Sequence, residues 1–125
     1  MHEHSIPVDV AIAFTEAWTS HDMTTAAGYV AEDVVFEGPM TQSAGIDPFM
    51  DGLGRFADSV TGLEVLTALG TDERAMIMYD LTTVPFGVLR AAEDFIISEG
   101  KISRDTLVFD THAVRRAGEA PTPTG

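Results

Sequence analysis

From Ile6 to Ser20 the apolar residues Ile6, Val10, Phe14 and Trp18 return at every fourth position, with Ala13 and Ala17 beside them. That spacing gathers side chains on one face of a helix. Ser5 suits its N-cap and Pro7 its first turn. A second, shorter helix is expected from about Asp22, in "SHDMTTAAGYVAED", and "DVVFEGP" reads as a short strand stopped by Gly38-Pro39. Asp47-Pro48 signals a third helix, striped by Phe49, Leu53, Phe56 and Val60, although Gly52 and Gly54 weaken it. Beyond Thr61-Gly62 the period becomes two: Leu63, Val65, Thr67 and Leu69 alternate, and so do Ala75, Ile77, Tyr79 and Leu81. Helices followed by a run of antiparallel strands indicate an α+β fold. Three N-terminal helices packed on a curved, mainly antiparallel sheet make a cone that encloses a pocket. Residues 1–5 read as a flexible arm, 6–113 as one domain, and 114–125 as a flexible, proline-rich tail.

The stretch "AAEDFIISEGKISRDTLVFD" (Ala91 to Asp110) reads as a hairpin that carries acids inside its apolar strands. An unpaired buried charge is costly. A three-residue loop ending in a left-handed Gly100 sets Glu93 opposite Asp105. A two-residue turn sets Asp94 opposite Asp105, but forces Glu99 to positive φ. In either register Asp105 meets an acid. Carboxylates on directly opposed positions resist double ionisation, so one pKa should rise. Both acids could instead be solvated at a rim, or neutralised by Arg90 or Arg104.

Composition narrows the classes of partner. The chain has 125 residues and no cysteine, which excludes disulfides, a thiolate nucleophile and a cysteine-ligated zinc. Its 20 acids against 7 bases give a net charge of −13, which phosphate backbones and anionic lipid surfaces repel. Neither nucleic acid nor a membrane is expected as a partner. "MHEHSIPVDV" lacks the basic and apolar regions of a signal peptide, so a cytoplasmic location is expected. His2 and His4 stand near the N-terminus without further ligands, so no metal is expected. No phosphate-binding loop, dinucleotide fingerprint or nucleophile elbow occurs, so no cofactor is expected either.

The element order, together with "AEDVVFEGP", the "EGKI" turn and the closing "VFD", resembles the SnoaL-like branch of the nuclear transport factor 2-like superfamily over about residues 6 to 111. Against ketosteroid isomerases, the base position falls on Gly38, the helix-one tyrosine on Phe14 and the oxyanion-hole acid on Glu93. Against limonene epoxide hydrolases, an arginine–aspartate pair falls on Met78 and Asp80 and the last-strand aspartate on Leu107. Polyketide cyclases place their base at that same Leu107 position and a partner histidine near Glu93. No constellation is intact. What the resemblance implies is orientation: Glu93, Asp105, Leu107 and Phe109 on the cavity side, with Met78 and Asp80 also inward. Tyr79, out of phase with Asp80, is then expected at an interface, and a homodimer through the outer sheet face is implied.

These readings lead to a cofactor-free acid–base enzyme of isomerase, cyclase, dehydratase or epoxide hydrolase type, acting on a small hydrophobic molecule. Glu93, Asp105 and Asp80 are its expected catalytic residues. Phe14, Trp18, Tyr29, Met78, Phe95, Leu107 and Phe109 are the expected pocket wall. The alternative is a non-catalytic small-molecule-binding or dimerisation module.

Overall fold

The computed structural model describes residues 6–118. Among these, six strands and four helices follow the order α1 (Pro7–Thr19), α2 (Met23–Ala27), β1 (Val30–Glu37), β2 (Gln42–Ala44), α3 (Ile46–Ala57), β3 (Val60–Gly70), β4 (Arg74–Thr83), β5 (Gly87–Ser98), β6 (Lys101–Phe109) and α4 (His112–Gly118). The strands form one sheet in the order β2-β1-β6-β5-β4-β3. Only β1 against β6 is parallel; every other pairing is antiparallel. The fold is the expected α+β cone, with α3 inserted after β2 rather than grouped with the first two helices.

Local chemistry accounts for the helix limits. The four-residue stripe of α1 is buried at Val10, Phe14 and Trp18. The proposed cap Ser5 lies outside the described residues; Ile6 occupies the N-cap position without a side-chain bond, and Pro7 opens the first turn. Asp22 caps α2 by accepting from the Thr25 N–H at 3.1 Å. The third helix starts at Ile46 with Gly45 at its cap, so Asp47 and Pro48 both fall inside the first turn, where an acid and a proline suit the free N–H groups.

The helices share one side of the sheet. α1 packs across β3, β4 and β5, while α3 packs on β1 and β2. Phe14 joins the two layers, stacked at 6.1 Å on Phe49 of α3 and edge-on at 6.0 Å to Phe95 of β5. Phe14 and Phe95 are fully buried, and each such ring stabilises the fold by about 1.5–3 kcal/mol.

The hairpin between β5 and β6 departs from both expected registers. Ser98 pairs with Lys101, leaving Glu99-Gly100 as a two-residue turn with φ of 54° and 77°. Glu99 accepts the left-handed conformation because a turn of this hand matches the strand twist, at a cost of about 1–2 kcal/mol. Continued without a break, that register would bring Asp105 opposite Asp94, on the outer face. A bulge intervenes: Ile97 pairs with Ile102, Ile96 with Arg104, and Ser103 is the extra residue. Its hydroxyl donates to the Ile96 carbonyl at 3.2 Å. Because one added residue exchanges the two faces of a strand, Asp105 turns inward. It stands opposite Phe95, while Glu93 stands opposite Leu107.

Two further expectations are corrected. β3 also bulges, between Val65 and Thr67, so the alternation read through Leu69 breaks and Leu69 ends up exposed. The C-terminal segment expected as a tail from residue 114 instead continues α4 through Gly118. Residues 1–5 and 119–125, with the arm, His2 and His4 assigned to them, lie outside the described residues.

Candidate functional site

A cavity of about 510 Å³ opens between α3 and the concave face of β4, β5 and β6, a volume suited to a small molecule. Most of its wall is apolar. Trp18 of α1, Phe36 of β1, Phe49 and Phe56 of α3 and Phe109 of β6 supply rings, and Leu81, Leu89 and Leu107 supply aliphatic surface. The segment from Gly38 to Ser43, which runs into β2, edges it, and Val114 brings α4 to it.

Three polar side chains interrupt that wall at its buried end: Tyr79, Glu93 and Asp105, which are 1%, 4% and 1% exposed. Register explains how they meet. Tyr79 pairs with Ala91 and Asp105 with Phe95, so each lies diagonal to Glu93, a relation that long side chains bridge. The small side chain of Ala91 leaves room for the phenol to lean across. The Tyr79 hydroxyl donates to Glu93 Oε1 at 2.6 Å, and the carboxyls of Glu93 and Asp105 hydrogen-bond one another.

Two carboxyls in a hydrogen bond must share a proton. Burial pushes the pKa of Asp105 well above the usual carboxylate range, and the charge of Glu93 adds to the rise. Burial also raises that of Glu93, while hydrogen bonds donated by Asp105 and Tyr79 pull the other way. The hydrogen bond that Tyr79 donates favours the ionised form at Glu93, which leaves the shared proton toward Asp105, and Tyr79, its own pKa raised by burial and then by Glu93, stays a neutral donor. Among the described residues no cation neutralises them: Arg90 pairs with Asp80 at 2.8 Å, Arg104 with Glu37 at 3.8 Å and Arg74 with Asp94 at 3.2 Å. Two buried polar atoms bordering the cavity, Asp105 Oδ1 and Trp18 Nε1, have no hydrogen-bond partner among the described residues.

Of the residues expected at a site, Glu93, Asp105, Trp18, Leu107 and Phe109 meet at this cavity. Asp80 and Met78 do not, which corrects their inward placement. Met78 is 41% exposed, and Asp80 accepts both guanidinium bonds of Arg90 on the outer face. Arg90 holds the Asp80 carboxyl below its usual range. Phe14 and Phe95 belong to the core, and Phe14, Phe95 and Tyr29 are not in the cavity wall. Tyr79, expected at an interface, is the residue most clearly missed. Its alternation with Ala75, Ile77 and Leu81, all buried, was the signal that could have found it. The rings of Phe36, Phe49 and Phe56 were also not assigned to the wall.

A sheet curved around a helix-covered cavity of this topology defines the nuclear transport factor 2-like class of α+β proteins. Within that class the chain belongs to the SnoaL-like domain family, whose profile matches residues 11–116. A protein of Kribbella flavida DSM 17836 is 32% identical, with a TM-score of 0.87 over 91% of this chain and 94% of its own. An NTF2-like protein of Cytophaga hutchinsonii ATCC 33406 shares the fold at 16% identity, with a TM-score of 0.73 over 86% of this chain and 92% of its own. So does an LEH-like epoxide hydrolase of M. tuberculosis, at 17% identity and a TM-score of 0.73, over 87% of this chain and 86% of its own. No protein of curated function matches the chain.

Proposed function

We propose that this protein is a cofactor-free acid–base enzyme acting on a small hydrophobic molecule held in the cavity. The observation that carries the reading is the buried carboxyl pair at the end of an apolar cavity, hydrogen-bonded within itself and to Tyr79. Glu93 is the base, Asp105 the acid, and Tyr79 positions Glu93. A carboxylate and a carboxylic acid side by side let one group take a proton while its neighbour delivers one. That pairing serves isomerisation, cyclisation, dehydration or epoxide opening alike. Trp18, Leu107 and Phe109 hold the hydrocarbon part of the substrate. Asp80, on the outer face, takes no part.

Glu93→Gln tests this. It keeps the shape and one acceptor but removes the base, so turnover of a panel of hydrophobic ketones, epoxides and alcohols is lost while the circular dichroism spectrum is kept. Leu107 favours a second reading. It is apolar and in the cavity wall, at the last-strand position where the resemblance implies a base. On that reading the domain binds a small molecule without transforming it, and Glu93→Gln leaves ligand affinity intact with no turnover in either form.

The proposal extends to a cytoplasmic homodimer that meets through the outer sheet face, where Met76, Met78, Val88 and Val108 are exposed. No helix of the described residues is long and apolar enough to cross a membrane, and the net charge of −13 disfavours nucleic acid as a partner.

A further inference from the structure

The electrostatics of the cavity restrict what can fill it. With one proton shared between them, Glu93 and Asp105 would carry a single negative charge, and among the described residues no lysine, arginine or histidine pairs with either. A buried charge is tolerated when it is paired. Tyr79 supplies a hydrogen bond but no charge, and Asp105 Oδ1, buried and without a partner, remains as an acceptor at the cavity wall. The rings of Trp18, Phe36, Phe49, Phe56 and Phe109 line the same space, and aromatic faces attract cations. Among the described residues Arg55 is the one basic side chain on that wall; it is exposed at the mouth and bonded to Asp51 at 2.8 Å.

We propose that the ligand of this cavity is a lipophilic amine, bound as its ammonium ion. The ammonium N–H groups donate to Asp105 Oδ1 and Glu93, and the hydrocarbon skeleton packs on the aromatic wall. An anion is repelled, and a neutral molecule leaves the shared negative charge uncompensated. The net charge of −13 also raises the local concentration of cations. The proposal rests on the reading of the cavity as a small-molecule site and narrows "small hydrophobic molecule" to one bearing a cationic nitrogen. Binding leaves the shared proton between Glu93 and Asp105 in place, so that one ammonium balances one negative charge. The groups facing that proton are Tyr79 from β4, Glu93 from β5 and, across the cavity, Asp51 and Arg55 from α3; Trp18 is the facing residue of α1 and is uncharged.

The test compares 1-aminoadamantane with 1-adamantanol, equal in shape and different in charge. Binding is read by calorimetry and by fluorescence of Trp18, the chain's only tryptophan. The amine is expected to bind one per chain, about tenfold or more tighter than the alcohol at neutral pH. The double variant Glu93→Gln, Asp105→Asn should bind the amine no better than the alcohol, with an unchanged circular dichroism spectrum to certify its fold. Alcohol binding that equals or exceeds amine binding overturns the ammonium assignment and leaves the small-molecule site standing. So does an amine preference that survives in the double variant. Binding of neither compound overturns both.

Discussion

Replacing Tyr79 with phenylalanine removes a single oxygen and leaves the ring in place. That oxygen donates at 2.6 Å to a carboxylate on a residue that is 4% exposed, so bulk solvent is a poor substitute for it. A hydrogen bond to a charged group is worth about 1.5–3 kcal/mol, against about 0.5–1.5 kcal/mol for a neutral pair. The cost of Tyr79→Phe should therefore depend on the ionisation of Glu93. The pKa of Glu93 is raised in the folded protein, chiefly by burial, and Tyr79 opposes that rise. Without the phenol it rises further. The folded variant then binds more protons than the folded wild type as pH climbs, and its stability falls more steeply with pH. Urea denaturation at a series of pH values gives both stabilities. The expected loss is about 0.5–1.5 kcal/mol where Glu93 is protonated, growing to about 1.5–3 kcal/mol where it is ionised. A loss independent of pH, or one that shrinks as pH rises, would refute the hydrogen-bonded chain from Tyr79 through Glu93 to Asp105.

Asp105→Asn should act in the opposite direction. The raised pKa of Asp105 means that the folded state holds a proton the unfolded chain gives up. Wild-type stability therefore falls as pH rises above about 4. The variant should show no advantage below that pH and a growing one above it in the same denaturation series. Phe95→Ala removes a fully buried ring from the core and should cost about 3–5 kcal/mol in urea titrations. Asp80→Ala breaks only the outer-face pair with Arg90 and should leave ligand affinity unchanged; a weakened affinity would return Asp80 to the site. Val108→Glu, on the exposed outer face, should turn a dimer into a monomer in light scattering, and a monomeric wild type would remove the dimer from the account.

The helical stripes and the alternation of β4 were legible in the sequence because their periods come from geometry alone. The buried row Ala75, Ile77, Tyr79 and Leu81 needed nothing else. Met78 and Asp80 went astray when positions were transferred from relatives, since a displacement of one residue inverts the face of a strand. Glu93 and Asp105 were recognised as partners, yet the geometry that joins them was hidden. It combines a two-residue turn, which puts Glu99 at positive φ, with a bulge at Ser103. Each feature is decided by strand pairing across the sheet rather than by local preference. The rings of Phe36, Phe49 and Phe56 read as ordinary core. Only the packing of α1 on β3, β4 and β5 and of α3 on β1 and β2 leaves the space that turns them into a cavity wall. The helix over His112–Gly118 lay under the composition of the proline-rich residues that follow it.

One shared proton underlies the chemistry proposed for Glu93 and Asp105. Carboxyl-carbon NMR titration of Glu93 and Asp105, repeated in Glu93→Gln and Asp105→Asn, measures it directly. Both groups should titrate above the ordinary carboxylate range, Glu93 before Asp105. In Glu93→Gln the pKa of Asp105 should fall, because burial persists but the neighbouring charge is gone. Two independent titrations at ordinary values, unmoved by either substitution, would contradict the pair and the function built on it.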